Sequence, residues 1–369
     1  MASPRFTRIV APLPSTVPFV GPEAQERARG AKFVARIGAN ESVFGPSPLA
    51  AAAMQAAAAE CWMYCDPENH DLKVALAREL GVAPANVVVG EGIDSLFGYT
   101  VRLFTEPGDA VVTSLGAYPT FNFHVAGYGG RLVTVPYVDD REDPASLLTA
   151  VRREAPKLLY LANPDNPMGS WWPAAVIEEL IVNLPDDTVL VLDEAYAEFA
   201  PRGTVARLDV SRPNVIRYRT FSKAYGMAGA RIAYAIAEAG VATSFDKIRN
   251  HFSVNRIAQA GALAALADKA HLAQVVAKVA RARARIAEIA RDNGLTPLAS
   301  AANFVTIDCG SDGQRAKAIL DGLIARGIFV RMPGVAPLNR CIRVSAGTDA
   351  DLDHLAARLP EVLRAVVAH

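Results

Sequence analysis

Short apolar runs alternate with amphipathic segments along the chain from about residue 31 to residue 245. The runs are four to seven residues long, as buried strands are, and the segments between them begin with helix signals such as Ser47 followed by Pro48. The predicted strands are 31–37, 86–89, 110–113, 131–135, 157–161 and 188–192, and the predicted helices include 48–60, 71–80, 174–183 and one ending at Phe104. Strands that alternate with helices predict an α/β fold with a mostly parallel, doubly wound sheet.

The pattern changes on both sides of this region. Residues 1–30 contain Pro12, Pro14, Pro18 and Pro22, which predict an extended arm followed by a short polar helix. Beyond residue 246 the pattern predicts helices at 271–293, 314–326 and 350–367, and strands at 303–308, 328–331 and 341–344. We therefore divide the chain into an arm (1–30), a large domain (31–245) and a smaller α+β domain (246–369).

Composition narrows the possible classes of protein. Of the 369 residues, 51% are hydrophobic and 21% charged, with 38 basic and 38 acidic side chains, which indicates a globular protein with a large core. The zero net charge argues against nucleic acid or an anionic membrane as a partner. Neither a membrane span nor a secretory signal is evident, and the four cysteines suggest neither a disulfide framework nor a zinc site. A cytoplasmic enzyme without a metal ion is expected.

One strand runs into a glycine turn that suits an anion. The strand 86–89 leads into Gly90-Glu91-Gly92-Ile93-Asp94-Ser95 and then into a helix, whose first backbone N–H groups are free to bind a phosphate. A dinucleotide fingerprint would need a third glycine where Ser95 stands. A general phosphate cradle is therefore the preferred interpretation.

Two other strands end in polar residues. The strand 157–161 is followed by a rigid, proline-rich loop, 163–169, at the end of a strand where ligands of such sheets bind. The strand 188–192 ends in Asp193-Glu194-Ala195-Tyr196. Aliphatic residues before an acidic pair are also found in ATPases, but the glycine-rich loop ending in Gly-Lys-Ser/Thr is missing here.

The segment 218–231 is predicted to be a short polar loop with unusual chemistry. Ser222 and Lys223 are separated from Arg231 mainly by small residues, which would let the backbone approach a ligand closely. An anionic cofactor with an aldehyde group would need such a set of side chains. The alternative, a solvated surface lysine beside a flexible turn, is the commoner role of a lysine.

Taken together, these features resemble the class I/II aminotransferases, which are fold type I enzymes that use pyridoxal 5′-phosphate. Within that family, the chain is most similar to the histidinol-phosphate aminotransferase branch. The resemblance runs from about Ile37 to His369 and is carried by Asn40-Glu41-Ser42, Gly45-Pro46-Ser47-Pro48, Asn163-Pro164-Asp165-Asn166-Pro167, Asp193-Glu194-Ala195-Tyr196, Ser222-Lys223 with Gly229 and Arg231, and Ile342-Arg343-Val344.

This resemblance implies the roles of the catalytic side chains. Lys223 would form a Schiff base with the cofactor aldehyde and later carry the proton between the substrate Cα and the cofactor. Asp193 would keep the pyridine nitrogen protonated, so that the ring withdraws negative charge. Asn166 and Tyr196 would hydrogen-bond the ring hydroxyl, and Tyr118 would stack on the ring, unless it only packs in the core.

The resemblance also implies how phosphate and substrate are held. Backbone around Gly92, Ile93 and Asp94, together with Ser222 and Arg231, would bind the cofactor phosphate. Tyr64 would reach that phosphate from the partner subunit of a homodimer, although Cys65 stands where the family usually has proline. Among the substrate contacts, Arg343 would hold a carboxylate and Asn40 would lie nearby. Arg331 would bind a substrate phosphate or carboxylate, or form a surface ion pair.

The implied reaction moves an amino group by a ping-pong mechanism from a small-molecule donor, for which L-histidinol phosphate is the preferred candidate, to 2-oxoglutarate. Three alternatives stay open at this point. The donor could be an aromatic amino acid, the same fold could support a decarboxylase or lyase, or the chain could be a binding module without catalysis. An intact Lys223 argues against the last of these. The arm could cover the site or only brace a dimer.

Overall fold

The computed structural model describes residues 5–15, 20–310 and 312–367. In chain order its strands are β1 (Ala35–Arg36), β2 (Val87–Gly90), β3 (Ala110–Ser114), β4 (Arg131–Val135), β5 (Leu158–Ala162), β6 (Val189–Asp193), β7 (Val215–Thr220), β8 (Ala233–Ile236), β9 (Thr296–Pro297), β10 (Phe304–Asp308), β11 (Ile328–Phe329) and β12 (Cys341–Ser345). Its α-helices are α1 (Pro22–Arg29), α2 (Pro48–Ala58), α3 (His70–Leu80), α4 (Ile93–Phe104), α5 (Pro119–Gly127), α6 (Pro144–Glu154), α7 (Ala174–Val182), α8 (Ala239–Ser244), α9 (Arg256–Ala267), α10 (Lys269–Asp292), α11 (Gly313–Ala325) and α12 (Asp349–Val367).

A seven-stranded sheet forms the centre of the fold, in the order β2-β8-β7-β6-β5-β3-β4. Only β8 runs antiparallel to its neighbours, so the predicted mostly parallel sheet is confirmed. Successive residues of β6 point to opposite faces: Leu190 and Leu192 pack in the core beneath α6 and α7, whereas Val191 packs with α4 and α5. Burial on both faces explains why these strands are uninterrupted aliphatic runs.

The C-terminal elements include a separate antiparallel sheet of three strands, in the order β12-β10-β9. The predicted strand at 31–37 contains only β1, which pairs in parallel with β11 and not with the central sheet. In contrast, α9 packs on α2, in a core that includes Phe221 and Ile232. Near the expected boundaries at 31 and 246, β1 thus pairs with a C-terminal strand and α9 packs in a core with residues of the central sheet. The division into domains itself stays a prediction.

The segment 218–231 is a loop only in part. Tyr218 to Thr220 belong to β7, a strand that the sequence pattern did not reveal because Arg217 and Arg219 interrupt its apolar residues. Both arginines bond the buried carboxylate of Glu194 on the neighbouring chain segment, Arg217 at 2.5 and 3.1 Å and Arg219 at 3.1 Å. A buried ion cluster of this kind looks like a polar loop in the sequence, because its compensating charge lies far along the chain.

The described part of the arm ends in the predicted short helix, α1. Glu26 of this helix is buried and accepts hydrogen bonds from the backbone N–H of Phe33 and from Lys32, which joins the helix to the segment before β1. Pro18 and residues 1–4 lie outside the described residues. Among the described helices, none combines the length and the apolar composition that a bilayer crossing requires.

Candidate active site

A cavity of about 680 Å³ opens at the carboxyl ends of the parallel strands of the central sheet. It lies where the loops after β2, β3, β5, β6 and β7 converge, as expected for an open α/β sheet. Twelve residues singled out from the sequence line it, namely Asn40, Ile93, Asp94, Tyr118, Asn166, Asp193, Tyr196, Ser222, Lys223, Arg231, Arg331 and Arg343. The folded chain therefore brings together residues as distant in sequence as Asn40 and Arg343.

Lys223 enters the cavity from the turn that follows β7. Its Nζ atom donates a hydrogen bond to the backbone oxygen of Asn40 at 3.3 Å and lies 5.8 Å from the centre of the Tyr196 ring. Burial, reinforced by the nearby positive charge of Arg343, lowers the pKa of Lys223 to about 8. A substantial fraction of this amine is therefore neutral, and available as a nucleophile or base, in weakly alkaline solution.

The turn that carries Lys223 depends on Gly226. This glycine has φ 68°, in the left-handed region, and its amide donates to the carbonyl of Lys223 at 3.1 Å. A Cβ atom at this position would overlap the backbone carbonyl of Gly45. The turn is thus pressed directly against the segment that begins at Asn40, and only glycine allows that approach.

We expect Gly226→Ala to lower the free energy of unfolding by about 3 kcal/mol, because the new methyl group meets backbone and the left-handed conformation is strained. Denaturant unfolding of the purified variant measures this. Gly229→Ala is the matched control, since Gly229 lies in the same turn region with open space around it. Equal stability of the two variants would contradict the role given to Gly226.

Asp193 stands at the end of β6 with both carboxylate oxygens in hydrogen bonds. The backbone N–H of Ala195 donates to one oxygen and the hydroxyl of Tyr160 to the other, each at 2.9 Å. Burial raises the pKa of Asp193 to about 6. Tyr160 was missed from the sequence, although a tyrosine within an otherwise aliphatic strand was a usable signal.

Tyr196 and Asn40 form one wall of the cavity. The Asn40 side-chain amide donates to the Tyr196 hydroxyl at 3.1 Å, and Ser345 bonds both the backbone and the side chain of Asn40 at 2.9 Å. Asn40 itself has φ 56°, a conformation that asparagine tolerates better than most residues. Burial raises the pKa of Tyr196 to about 12, so its hydroxyl stays protonated near neutral pH.

Two arginines approach the cavity from the C-terminal elements. Arg343 on β12 donates to the side-chain oxygen of Asn166, and its Nε atom is buried without a hydrogen-bond partner among the described residues. Burial lowers the pKa of Arg343 to about 10. Arg331 forms a backbone bridge to Arg343 and donates from its side chain to the carbonyl of Val20, in the arm just before α1, at 3.0 Å.

The expected phosphate cradle lies at the first turn of α4. Gly92 caps this helix with φ 96°, and a Cβ atom there would overlap the guanidinium of Arg231. The Arg231 side chain reaches Ser222 Oγ at 3.5 Å and the Asp94 carboxylate at 3.7 Å. The Tyr118 hydroxyl donates to Asp94 at 3.0 Å, so Tyr118 lines the cavity and does not only pack in the core.

Tyr64 is not brought to the cavity of its own chain. Its side chain is 79% exposed and its ring lies 4.7 Å from that of Phe252, centre to centre. A further part of the cavity wall was also not foreseen. It is formed by Leu115 to Ala117, Asn122, Thr134 and the loop 332–335, where no distinctive residue pattern marks a site in the sequence.

Comparisons with known proteins agree with this geometry. The family described as aminotransferase class I and II matches residues 34–359. Histidinol-phosphate aminotransferase 1 of Mesorhizobium japonicum is 34% identical over 97% of this chain and 98% of its own length, and histidinol-phosphate aminotransferase of Roseiflexus castenholzii is 38% identical over 89% and 90%. The crystal structure of histidinol-phosphate aminotransferase from Sinorhizobium meliloti in complex with pyridoxal-5′-phosphate superposes with a TM-score of 0.97, at 60% identity and 99% coverage of both chains. With its fold, its cavity and these relatives in agreement, the chain belongs to the class I and II aminotransferases.

Proposed function

We propose that this aminotransferase uses pyridoxal 5′-phosphate to move the amino group of L-histidinol phosphate to 2-oxoglutarate by a ping-pong mechanism. The observation that carries the proposal is one cavity in which the Lys223 amine, with its lowered pKa, faces the buried carboxylate of Asp193. The similarity to the Sinorhizobium meliloti protein, at 60% identity over nearly the whole chain, supports both the cofactor and the donor.

The residues present fit the cofactor. Gly92 leaves room for the Arg231 guanidinium at the first turn of α4, where free backbone N–H groups and an arginine suit a phosphate. The buried Nε atom of Arg343 has no protein acceptor among the described residues, which suits an anionic group in the cavity. These positions are the ones that the sequence predicted for the phosphate and the substrate carboxylate.

When bound, the cofactor supplies an electron-withdrawing ring that stabilises negative charge at the substrate Cα. Lys223 would hold the cofactor through its aldehyde group and would move the proton at the substrate Cα as a base. Asp193 holds a proton at the ring nitrogen, and Tyr160 and Ala195 orient its carboxylate. Asn166 and Tyr196 would bind the ring hydroxyl, and Tyr118 would cover one face of the ring.

The substrates are small anions and the cavity offers cations for them. Arg343 binds the carboxylate of the 2-oxo acid, and Arg331 binds the phosphate of the donor or the second carboxylate of the acceptor. Asn40 lies beside the bound substrate, because it is hydrogen-bonded to both Tyr196 and Lys223. Gly92, Ile93, Asp94, Ser222 and Arg231 together hold the cofactor phosphate.

The enzyme works as a cytoplasmic homodimer in which Tyr64 reaches the cofactor phosphate in the partner's cavity. An exposed Tyr64 that is remote from its own cavity supports this arrangement. Mixing Lys223→Ala chains with Tyr64→Ala chains checks it, since each mixed dimer would have one site with both residues intact. Activity that does not rise on mixing would count against a shared site.

The donor is tested by following the visible absorption of the purified enzyme with single amino donors and no oxo acid. L-Histidinol phosphate, phenylalanine, tyrosine and glutamate form the panel. Rapid conversion of the bound cofactor to its amine form by histidinol phosphate is expected. A faster conversion by phenylalanine or tyrosine would show an aromatic donor, and consumption of a donor without the amine form would show a decarboxylase or lyase.

The lowered pKa of Lys223 predicts how the apoenzyme takes up cofactor with pH. Only the neutral amine attacks the aldehyde, so the uptake rate should rise with pH and level off above about 8. Replacing Arg343 by glutamine removes a nearby positive charge, which makes the protonated amine less costly and moves the midpoint to higher pH. Stopped-flow absorbance measures both midpoints. Arg326→Gln, at a surface ion pair with Glu361, should leave the midpoint where it is.

A further inference from the structure

A pair of buried carboxyl groups lies behind the loop that presents Asn166 to the cavity. Glu142 and Asp165 are each 1% exposed, and their side chains lie within hydrogen-bonding reach of each other. Glu142 precedes α6, whereas Asp165 is the residue immediately before Asn166. Within the described residues neither carboxyl group forms an ion pair with a lysine or an arginine. The pair is therefore a buried acidic contact without a compensating cation.

Other donors already occupy the four oxygens of this pair. Ser114 Oγ donates to one oxygen of Glu142 at 2.7 Å, and the backbone N–H of Ala162 donates to the other at 3.1 Å. The Tyr137 hydroxyl donates to Asp165 at 2.9 Å, and the backbone N–H of Met168 donates to its second oxygen at 3.0 Å. Each of these donors bonds only one of the two carboxyl groups, so two ionised groups would repel each other there at close range.

These contacts tie together the parts of the fold that shape the site. Through Ser114 and Ala162, Glu142 is bonded to the ends of β3 and β5, and its own carbonyl accepts from the Trp172 indole at 2.7 Å. Asp165 is bonded within its own loop to Met168 and Ser170. A link between the two side chains therefore anchors the loop 163–169 to the central sheet, one residue from Asn166.

We propose that Glu142 and Asp165 share one proton in the hydrogen bond between their side chains, and that this proton fixes the loop 163–169 so that Asn166 meets Arg343 and the cofactor. Glu142 is then a positioning residue that acts through Asp165 and Asn166. The other titratable groups that interact with the pair are the hydroxyls of Tyr137, Tyr160 and Tyr196, all neutral, with Arg343 acting at longer range. Burial raises the pKa of Glu142 well above its usual range, in agreement with the shared proton.

The proton itself is tested on the apoenzyme by thermal unfolding between pH 5 and pH 9. A carboxyl whose folded pKa is raised stabilises the fold at low pH, and this stabilisation is lost as the pH rises through the folded pKa. Glu142→Gln keeps a neutral donor at every pH, so its Tm should match that of the wild type near pH 5 and exceed it by on the order of 3 °C at pH 9. Glu106→Gln, at an exposed position, is the control for a change of net charge. A Tm difference between Glu142→Gln and the wild type that stays constant with pH would overturn the proposal.

The positioning role is tested on the loaded enzyme, and this part rests on the proposed function. Glu142→Ala should lower kcat roughly tenfold and shift the pH at which the visible band of the bound cofactor changes, whereas Glu142→Gln should leave both within about twofold of the wild type. If Glu142→Ala lowers Tm but changes neither kcat nor the visible band, the pair is only structural. Because the apoenzyme measurement needs no cofactor, its outcome stands whether or not the cofactor assignment is correct.

Discussion

Lys223→Ala is expected to lower kcat by about 10⁴-fold or more, the largest effect of any single substitution in this chain. Lys223 is the only lysine among the described residues that line the cavity. The other cationic side chains there are arginines, which keep their protons at neutral pH and cannot act as the base at Cα. No neighbouring group can therefore take over the covalent and proton-transfer roles.

Steady-state rates with histidinol phosphate and 2-oxoglutarate measure this loss. Mass spectrometry after borohydride reduction should place the cofactor on the Lys223 peptide in the wild type and on no lysine in the variant. Added methylamine should restore part of the activity, since it supplies a primary amine to the vacated space. Lys269→Ala, at a surface ion pair with Glu79, is the matched control and should retain full activity. A Lys223→Ala enzyme with more than a tenth of the wild-type kcat would contradict the assignment, and full biological activity would favour a binding module.

Asp193→Asn is expected to lower kcat/KM by roughly 10²- to 10³-fold while leaving the fold intact. Asparagine has nearly the same size; its Oδ1 atom can accept from the backbone N–H of Ala195 while its Nδ2 group donates to the Tyr160 hydroxyl, so both contacts can persist. What is lost is the negative charge that holds a proton on the cofactor ring. The effect on the reaction is therefore electrostatic and not steric.

A stability measurement separates these two causes. The pKa of Asp193 is raised to about 6 by burial, which means that its ionised form is costly in the fold. Removing that charge should leave Tm equal to or above the wild-type value while activity falls. Tyr160→Phe, which removes only one hydrogen bond to the carboxylate, should lower kcat/KM by less than about tenfold. Wild-type kcat/KM in Asp193→Asn would show that the carboxylate has no electrostatic role.

From the sequence, the candidate reactive residues of the cavity could be predicted better than the strands and contacts that surround them. Lys223, Asp193 and Arg343 could be predicted from the motifs of the family that the sequence resembles, and all three line the cavity. Of the three, Asp193 also ends a strand whose aliphatic pattern is plain. The strand β7 was not recognised, since Arg217 and Arg219 look like loop residues until Glu194 is placed beside them. A buried charged side chain can be predicted only when its ion-pair partner is known as well.

The contacts that hold the candidate site residues in place show the same limit of sequence-based prediction. Tyr160 was predicted to lie in a strand, but its bond to Asp193 depends on the parallel pairing of β5 and β6. Glu142 was not predicted to be a site residue, because no neighbouring residue in the sequence distinguishes it from a solvated glutamate in an acidic stretch. The sequence also did not predict that β1 pairs with β11 or that α9 packs on α2, because these partners are distant in the chain.

The sequence by itself determined the fold class, the order of most strands and helices, and the residue types that we propose perform the reaction. These follow from local patterns: aliphatic runs, helix caps, and side chains with rare chemistry after strand ends. Only the tertiary structure decided which residues support that chemistry, how Gly226 and Gly92 let the backbone approach, and which carboxyl groups meet without a cation. Such properties depend on contacts between distant segments, and burial and charge pairing exist only when those segments have come together.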